Sequence, residues 1–280
     1  MILLTGATGN IGRALVEELR AHGAGPLRAL TRDTARASFP EDVEAVRGDL
    51  ADAASVEPAL EGVRSLFLVP GLGPGSDADV LDAAREAGVE HVVLVSSITV
   101  QTHPHLGPAA EHAAGERLVR DSGMAWTVLR PTQFASNALW WAPSIRRRLP
   151  VRVAYADVGL PTIHPADIAS VAREALTDDR HRGRTYALTG PDRVTARQQV
   201  AAVSAALGRE VAVAEVGREE ARRDMAAFLG DEAAADAVLD VTGGDVNEEL
   251  LRVRDTVARV TGSPARPFHR WAAENAAAFR

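Results

Sequence analysis

The chain has 280 residues, 46% hydrophobic and 25% charged, enough for one large α/β unit or a nucleotide domain with a smaller partner. Its net charge of −7 at pH 7 argues against general affinity for nucleic acid or an acidic membrane. The absence of cysteine excludes disulfides, a thiol nucleophile and Cys-based metal sites, and the absence of lysine excludes any mechanism that needs a lysine ammonium. No apolar run approaches the length needed to cross a bilayer, and the N-terminus enters the fold at once, leaving no room for a signal peptide. A cytosolic protein with a small-molecule partner is expected, with monomer and homodimer both open.

The first dozen residues, MILLTGATGNIG, carry the strongest signal. Ile2, Leu3 and Leu4 form an apolar run, Gly6, Gly9 and Gly12 follow three residues apart, and a helical pattern then places Ala14, Leu15 and Leu19 on one face. A buried strand running through glycines into a helix predicts a dinucleotide-binding turn. The first glycine permits the tight turn, the second lets backbone approach a pyrophosphate, and the third lets helix and strand pack closely. Phosphates then face the free N–H groups and favourable dipole of the helix start, and Thr8 and Asn10 can add hydroxyl and amide contacts.

Leu27–Leu30 reads as a second strand ending in Thr31-Arg32-Asp33, where the adenosine ribose is read. A guanidinium there favours a 2′-phosphate, so Arg32, with help from Arg36, points to NADP(H) over NAD(H), while Asp33 could still take a ribose hydroxyl. Val43–Val46 is a third strand; Asp49 after it can accept from the adenine amino group or cap the next helix, and Leu50 can pack on the ring. Ser65–Val69 is an apolar fourth strand closed by Pro70, followed by a glycine-rich loop, Gly71–Gly75, expected to be mobile and near the ligand. After a helix from about Asp77 to Ala87, a fifth strand, His91–Val95, ends in Ser96-Ser97. The polar, proline-broken segment Gln101–Pro108 leads into a helix over about 109–120, and Trp126–Arg130, stopped by Pro131, is a sixth strand. Strand and helix repeating six times with long crossovers predict a doubly wound parallel α/β sheet, a Rossmann domain over residues 1–150 with returning segments at about 160–190.

The remainder is less regular, with helices over about 167–176, 195–207, 219–228, 232–241, 246–260 and 268–279 and short strands at 151–155, 185–188 and 211–216; its part over 191–280 is expected to form a smaller α+β substrate lobe. Phe134, Trp140 and Trp141 could line a flat aromatic pocket, although adjacent tryptophans diverge by ~100° on a helix, so at least one is expected in a core or interface. His164 could face that pocket or support the helix beginning near Asp167. Arg146–Arg148 reads as a solvated cluster, and His103 and His105 have no further ligand at a useful spacing, so no metal site is expected.

TGATGNIG, ALTR, GDL, the Ser-Ser end of the fifth strand, AEHAAGERLVRDSGMAWTVLRP, GLPTIHPADIASVAREAL and TYALTGPDRVTARQQVAAVSAALGR together resemble NmrA-like, atypical members of the extended short-chain dehydrogenase/reductase superfamily, nearest its NAD(P)H-dependent quinone oxidoreductases and azoreductases. That resemblance implies an NADP(H) site between strand ends and lobe, with contacts from Thr8–Ile11, Arg32, Asp49-Leu50, Val69-Pro70, Ser96 and the segment after Pro131. Typical superfamily enzymes carry Tyr-x-x-x-Lys with a glutamate four residues later; if Glu116 is that glutamate, His112 stands at the lysine position and Pro108 at the tyrosine position. A histidine there fits the quinone-reductase-like branch, which makes His112 the candidate catalytic residue, or else a structural hydrogen-bond partner. Without the tyrosine, hydride transfer to a quinone or conjugated enone, an aromatic metabolite among the candidates, is favoured over ketone reduction or epimerisation. The alternative is an NADP(H)-binding redox sensor that reports to a protein partner without turnover.

Overall fold

The three residues of β1 (Ile2–Leu4) are all buried, and the chain is built outward from them. In this computed structural model, which describes residues 1–70 and 76–280, there follow α1 (Asn10–Ala21), β2 (Leu27–Thr31), β3 (Val43–Arg47), α2 (Ala53–Leu60), β4 (Ser65–Leu68), α3 (Ser76–Glu86) and β5 (His91–Val95). Next come α4 (Thr99–Thr102), α5 (Gly107–Asp121), β6 (Ala125–Pro131), α6 (Ala142–Arg146), β7 (Val151–Val153), β8 (Gly159–Leu160), α7 (Pro165–Thr177) and β9 (Arg184–Leu188). The chain closes with β10 (Val194–Thr195), α8 (Ala196–Leu207), β11 (Val213–Glu215), α9 (Arg218–Leu229), α10 (Glu232–Leu239), α11 (Glu248–Leu251), α12 (Thr256–Thr261) and α13 (Phe268–Glu274).

Two compact units emerge, the first made of residues 1–97, 111–131 and 165–187 and the second of 98–110, 132–164 and 188–280. The chain passes between them more often than a break near residue 150 would allow: 98–110 and 132–150 fall in the second unit, and helix α7 returns to the first. The return is driven by α7 itself, whose Ile168, Ala169, Val171, Ala172 and Ala175 are buried; Ser170 Oγ donates to Glu18 Oε1 on α1 at 3.0 Å.

The first unit is organised on a seven-stranded sheet in the order β3-β2-β1-β4-β5-β6-β9. Every pairing from β3 through β6 is parallel, with Leu3 opposite both Arg28 and Leu66. At β9 the Gly183 N–H donates to the Trp126 carbonyl and the Thr132 N–H to the Leu188 carbonyl, so the two strands climb together. β5, His91–Val95, is buried at every position because a central parallel strand is covered on both faces, whereas β3 at the edge is largely exposed. One core cluster joins Leu3, Leu66, Leu68, Val92, Leu94 and Val128 to Val56, Leu60, Val80 and Leu81 of α2 and α3. Strand order reverses between β1 and β4, the switch point where ligands bind at the carboxyl ends of such sheets.

The strict alternation of strand and helix fails once. No helix lies between β2 and β3. Asp33 Oδ1 accepts from the N–H groups of Ala35 and Arg36, turning the chain tightly, and Pro40 follows shortly before β3.

In the second unit, Ile145, Val151, Val200, Val203, Phe268, Trp271 and Phe279 form the core. α8 is fixed at its start by a capping box between Thr195 and Gln198 and stopped by Gly208 at φ 66°. The single helix expected over 246–260 is two short ones, α11 and α12. Arg252 leaves the helical region at ψ 120°, and the Arg254 N–H donates to Thr189 Oγ1 at 2.9 Å, a tertiary bond that local helical periodicity does not anticipate. The proline-broken segment is likewise tied down: Asn247 Nδ2 donates to the Thr102 carbonyl at 2.9 Å, and His103, fully buried, donates from Nε2 to the Asp245 carbonyl.

Candidate functional site

In the first unit the turn between β1 and α1 is shaped by its glycines. Gly6 adopts φ 60°, and a Cβ at Gly12 would lie 2.2 Å from the Gly6 carbonyl oxygen and 2.6 Å from Ala7 Cα, a space only glycine leaves open. Gly9 is the N-cap of α1 and supplies no side-chain cap, so the N–H groups of Asn10, Ile11 and Gly12 at the helix start are left for another acceptor. Gly6, Thr8, Gly9 and Asn10 are exposed beside them, while the Ile11 side chain is buried in the core. An exposed, glycine-walled helix start with free donors fits a diphosphate in charge and in room. Thr5 Oγ1 accepts from the Val69 N–H at 2.8 Å, locking the end of β4, where Val69 and Pro70 are half-buried, to this turn. The Gly71–Gly75 loop lies outside the described residues.

At the end of β2, Arg32 is exposed and enters no ion pair among the described residues, so its guanidinium is available to a phosphate. Asp33 is committed to its own turn and pairs with Arg36 at 3.4 Å. Asp49 behaves in the same way: its Oδ1 accepts from the Ala51 N–H at 3.1 Å, while the N-cap of α2 is Asp52. Asp49 therefore closes a turn and does not cap the helix; Leu50 packs half-buried against the core.

Ser96 and α5 form a buried polar cluster. Glu116, with its side chain fully buried, accepts from Ser96 Oγ at 2.7 Å, from Arg120 at 2.7 Å and from both Nε and Nη2 of Arg130 at 2.7 Å. Burial pushes the Glu116 carboxyl up, but Arg130, Ser96 and Arg120 outweigh it and hold the group below its usual range, ionised and unable to donate a proton. One turn earlier, His112 is half-buried. Burial lowers its pKa against the pull of Glu111, Glu116 and Asp77, so the ring is neutral near pH 7. Pro131, buried, ends β6 in the same unit.

The second unit contains a cavity of about 420 Å³. Trp140 and Trp141 both line it, together with Tyr155, Met225 and Phe228. The two tryptophans do not divide between cavity and core as an α-helix would require, because they end a 3₁₀ turn, Ala135–Trp141, and Trp141 touches both. Trp140 leans on Phe228 with ring centroids 5.8 Å apart. Phe134 and His164 are not among the lining residues. His164 is buried and paired to Glu274 at 3.0 Å, a structural bond that fixes the entry to α7. Sequence reasoning missed Tyr155, Phe228 and Gln199 as cavity residues. Tyr155 sits at φ 55° with its ring against Gly243, where a Cβ would lie 2.3 Å away, and that positive φ has no local sequence signal. Arg146–Arg148 are exposed.

A sheet reversed at β1/β4 with this turn at its switch point defines a dinucleotide-binding Rossmann unit. The chain belongs to the NAD(P)H-binding family, whose model matches residues 6–179. It is 40% identical over 287 residues to a (4-alkanoyl-5-oxo-2,5-dihydrofuran-3-yl)methyl phosphate reductase of Streptomyces griseus, covering 100% of this chain and 99% of that protein. It is 34% identical over 284 residues to an NAD(P)H azoreductase of Xenophilus azovorans, again over 100% and 99% of the two chains. The crystal structure of an NADPH-dependent quinone oxidoreductase from Escherichia coli, complexed with NADPH, superposes with TM-score 0.82 at 26% identity over 98% of this chain and 99% of that one. The protein is thus an NAD(P)H-dependent oxidoreductase related to quinone reductases and azoreductases, as the sequence motifs implied. No helix among the described residues is long and apolar enough to cross a membrane.

Proposed function

We propose that the protein reduces a conjugated acceptor, a quinone-like ring or an enone, with NADPH bound by the first unit and the acceptor by the second. Bound NADPH supplies the hydride. The N–H groups of Asn10–Gly12 and the Thr8 hydroxyl hold the diphosphate, and Arg32 takes the 2′-phosphate. The observation that carries the choice of acceptor is the state of α5. Pro108 and His112 stand at the two positions of the usual phenol–ammonium couple, Glu116 is ionised and fully engaged, and His112 is neutral. Reduction of an isolated ketone leaves a localised alkoxide, for which a positioned acid is worth ~10²–10⁴-fold. A conjugated acceptor spreads that charge, so water or a hydrogen bond from His112 suffices. The Streptomyces relative supports this reading, since a 5-oxo-2,5-dihydrofuran has its carbon–carbon double bond conjugated to a carbonyl.

Purified protein, NADPH and a panel of quinones and unsaturated lactones, followed at the nicotinamide absorbance band, test the proposal. Oxidation of NADPH by at least one panel member is expected. No oxidation above background, with tight and unequal binding of NADPH and NADP⁺, would instead favour a redox sensor. His112→Ala is expected to lower kcat about tenfold; unchanged turnover would remove that residue from the chemistry.

A further inference from the structure

The polar chemistry of the cavity narrows the acceptor beyond its being conjugated, and this step rests on the second unit holding the substrate. Gln199, on the first turn of α8, lines the cavity and is only 6% exposed. Its Nε2 donates to the Val194 carbonyl at 3.4 Å and to Thr162 Oγ1 at 3.3 Å. Both partners fix the orientation of the amide. Val194 O can only accept, and the Thr162 hydroxyl proton is already directed to the Leu160 carbonyl. Both Nε2 hydrogens are therefore used inside the protein. Gln199 Oε1 has no partner among the described residues and is not a sealed, unsatisfied atom, which leaves it as an unpaired acceptor on a residue of the cavity wall. An acceptor in a buried wall costs free energy until a donor meets it. The charges in the wall are already matched: Arg152 pairs with Glu220 and, at 3.0 Å, with Asp224. The rest of the wall combines the aromatic rings of Trp140, Tyr155 and Phe228 with aliphatic side chains and with the polar side chains of Gln133, Asn137 and Ser144.

We infer that this cavity takes an uncharged conjugated ring bearing a hydroxyl, and that Gln199 Oε1 accepts the hydroxyl proton in a hydrogen bond and so sets specificity. An anionic group finds no unpaired cation in the described wall, and a methyl ether of the same ring leaves Oε1 unsatisfied.

The test uses three ligands: a naphthoquinone with a phenolic hydroxyl away from its carbonyls, its methyl ether, and the same ring carrying a carboxylate. Binding is read by quenching of tryptophan fluorescence without NADPH, and turnover separately by NADPH oxidation. The wild type is expected to bind the phenol at least about fivefold tighter than either analogue, the ratio of one neutral hydrogen bond. Gln199→Met should bring the phenol-to-ether ratio towards one, and Gln199→Glu, which keeps an acceptor, should restore a preference for the phenol. Melting temperatures of both variants separate misfolding from lost recognition, because the ratio is read only on folded protein. Equal binding of phenol and ether by the wild type, or tighter binding of the carboxylate, overturns the inference. Preferential binding without any NADPH oxidation leaves it standing and overturns the reductase reading instead.

Discussion

His91 predicts how the fold responds to acid. It begins β5 and is 2% exposed, with Nε2 3.0 Å from Thr127 Oγ1, whose hydroxyl is directed to the His181 carbonyl at 2.8 Å. Nε2 therefore carries the proton of the neutral ring, and protonation would add a second one to a buried imidazole. Burial and the nearby Arg182 push its pKa down to about 4, against the pull of Asp179. The unfolded chain titrates near ~6.5, so between the two values it binds more protons than the native state, and stability falls as pH falls. The penalty is absent above the unfolded value and grows through the window down to about pH 4; it amounts to about 2 kcal/mol at pH 5 and about 3 kcal/mol at pH 4. Urea unfolding of wild type and His91→Gln over this range isolates it, since glutamine keeps a donor for Thr127 and does not titrate. The wild type should lose stability faster than the variant by that amount. Two stability–pH curves that run parallel from pH 8 to ~5 would refute the assignment.

Gly12→Ala should abolish measurable NADPH binding and lower stability by about 1–3 kcal/mol, because the new methyl must displace the Gly6 carbonyl 2.2 Å away; fluorescence titration and thermal melts check both. Arg32→Glu should cut NADPH affinity at least about tenfold relative to NADH, compared by the two dissociation constants; a retained preference would show that another group reads the 2′-phosphate. Glu116→Gln should cost about 3 kcal/mol or more in urea unfolding, since it removes the anion from a buried site built with two guanidiniums. Trp140→Ala should weaken quinone binding several-fold and leave NADPH binding intact, measured by titrating each ligand separately.

The first half of the molecule was legible because its signals are local. Apolar runs such as Leu66–Leu68 and Val92–Val95 can only be doubly covered strands, and three glycines ahead of an amphipathic helix specify a turn whose conformation excludes side chains. Parallel order and the switch point follow once those elements are placed. The absence of lysine was decided by composition, and the absence of a tyrosine near residue 108 by position, since Tyr155 and Tyr186 both lie further along the chain.

What only the tertiary structure decided is what each polar side chain is spent on. Ser96, Asp33, Asp49 and His164 read as candidate ligands or caps in the sequence, and each is also bonded within the protein: Asp33 and Asp49 to N–H groups two residues on in their own turns, but Ser96 to Glu116 twenty residues on and His164 to Glu274 more than a hundred residues away, partners that the local pattern does not reveal. Conversely, Gln199 lies within the helix expected over 195–207, and the orientation of its amide is set by bonds to Val194 and to Thr162, the latter thirty-seven residues back in the chain. Strands, helices and glycine turns are set by forces within a few residues. The chemistry of a pocket is set by which donors and acceptors distant segments leave unpaired, and that is a property of the folded chain alone.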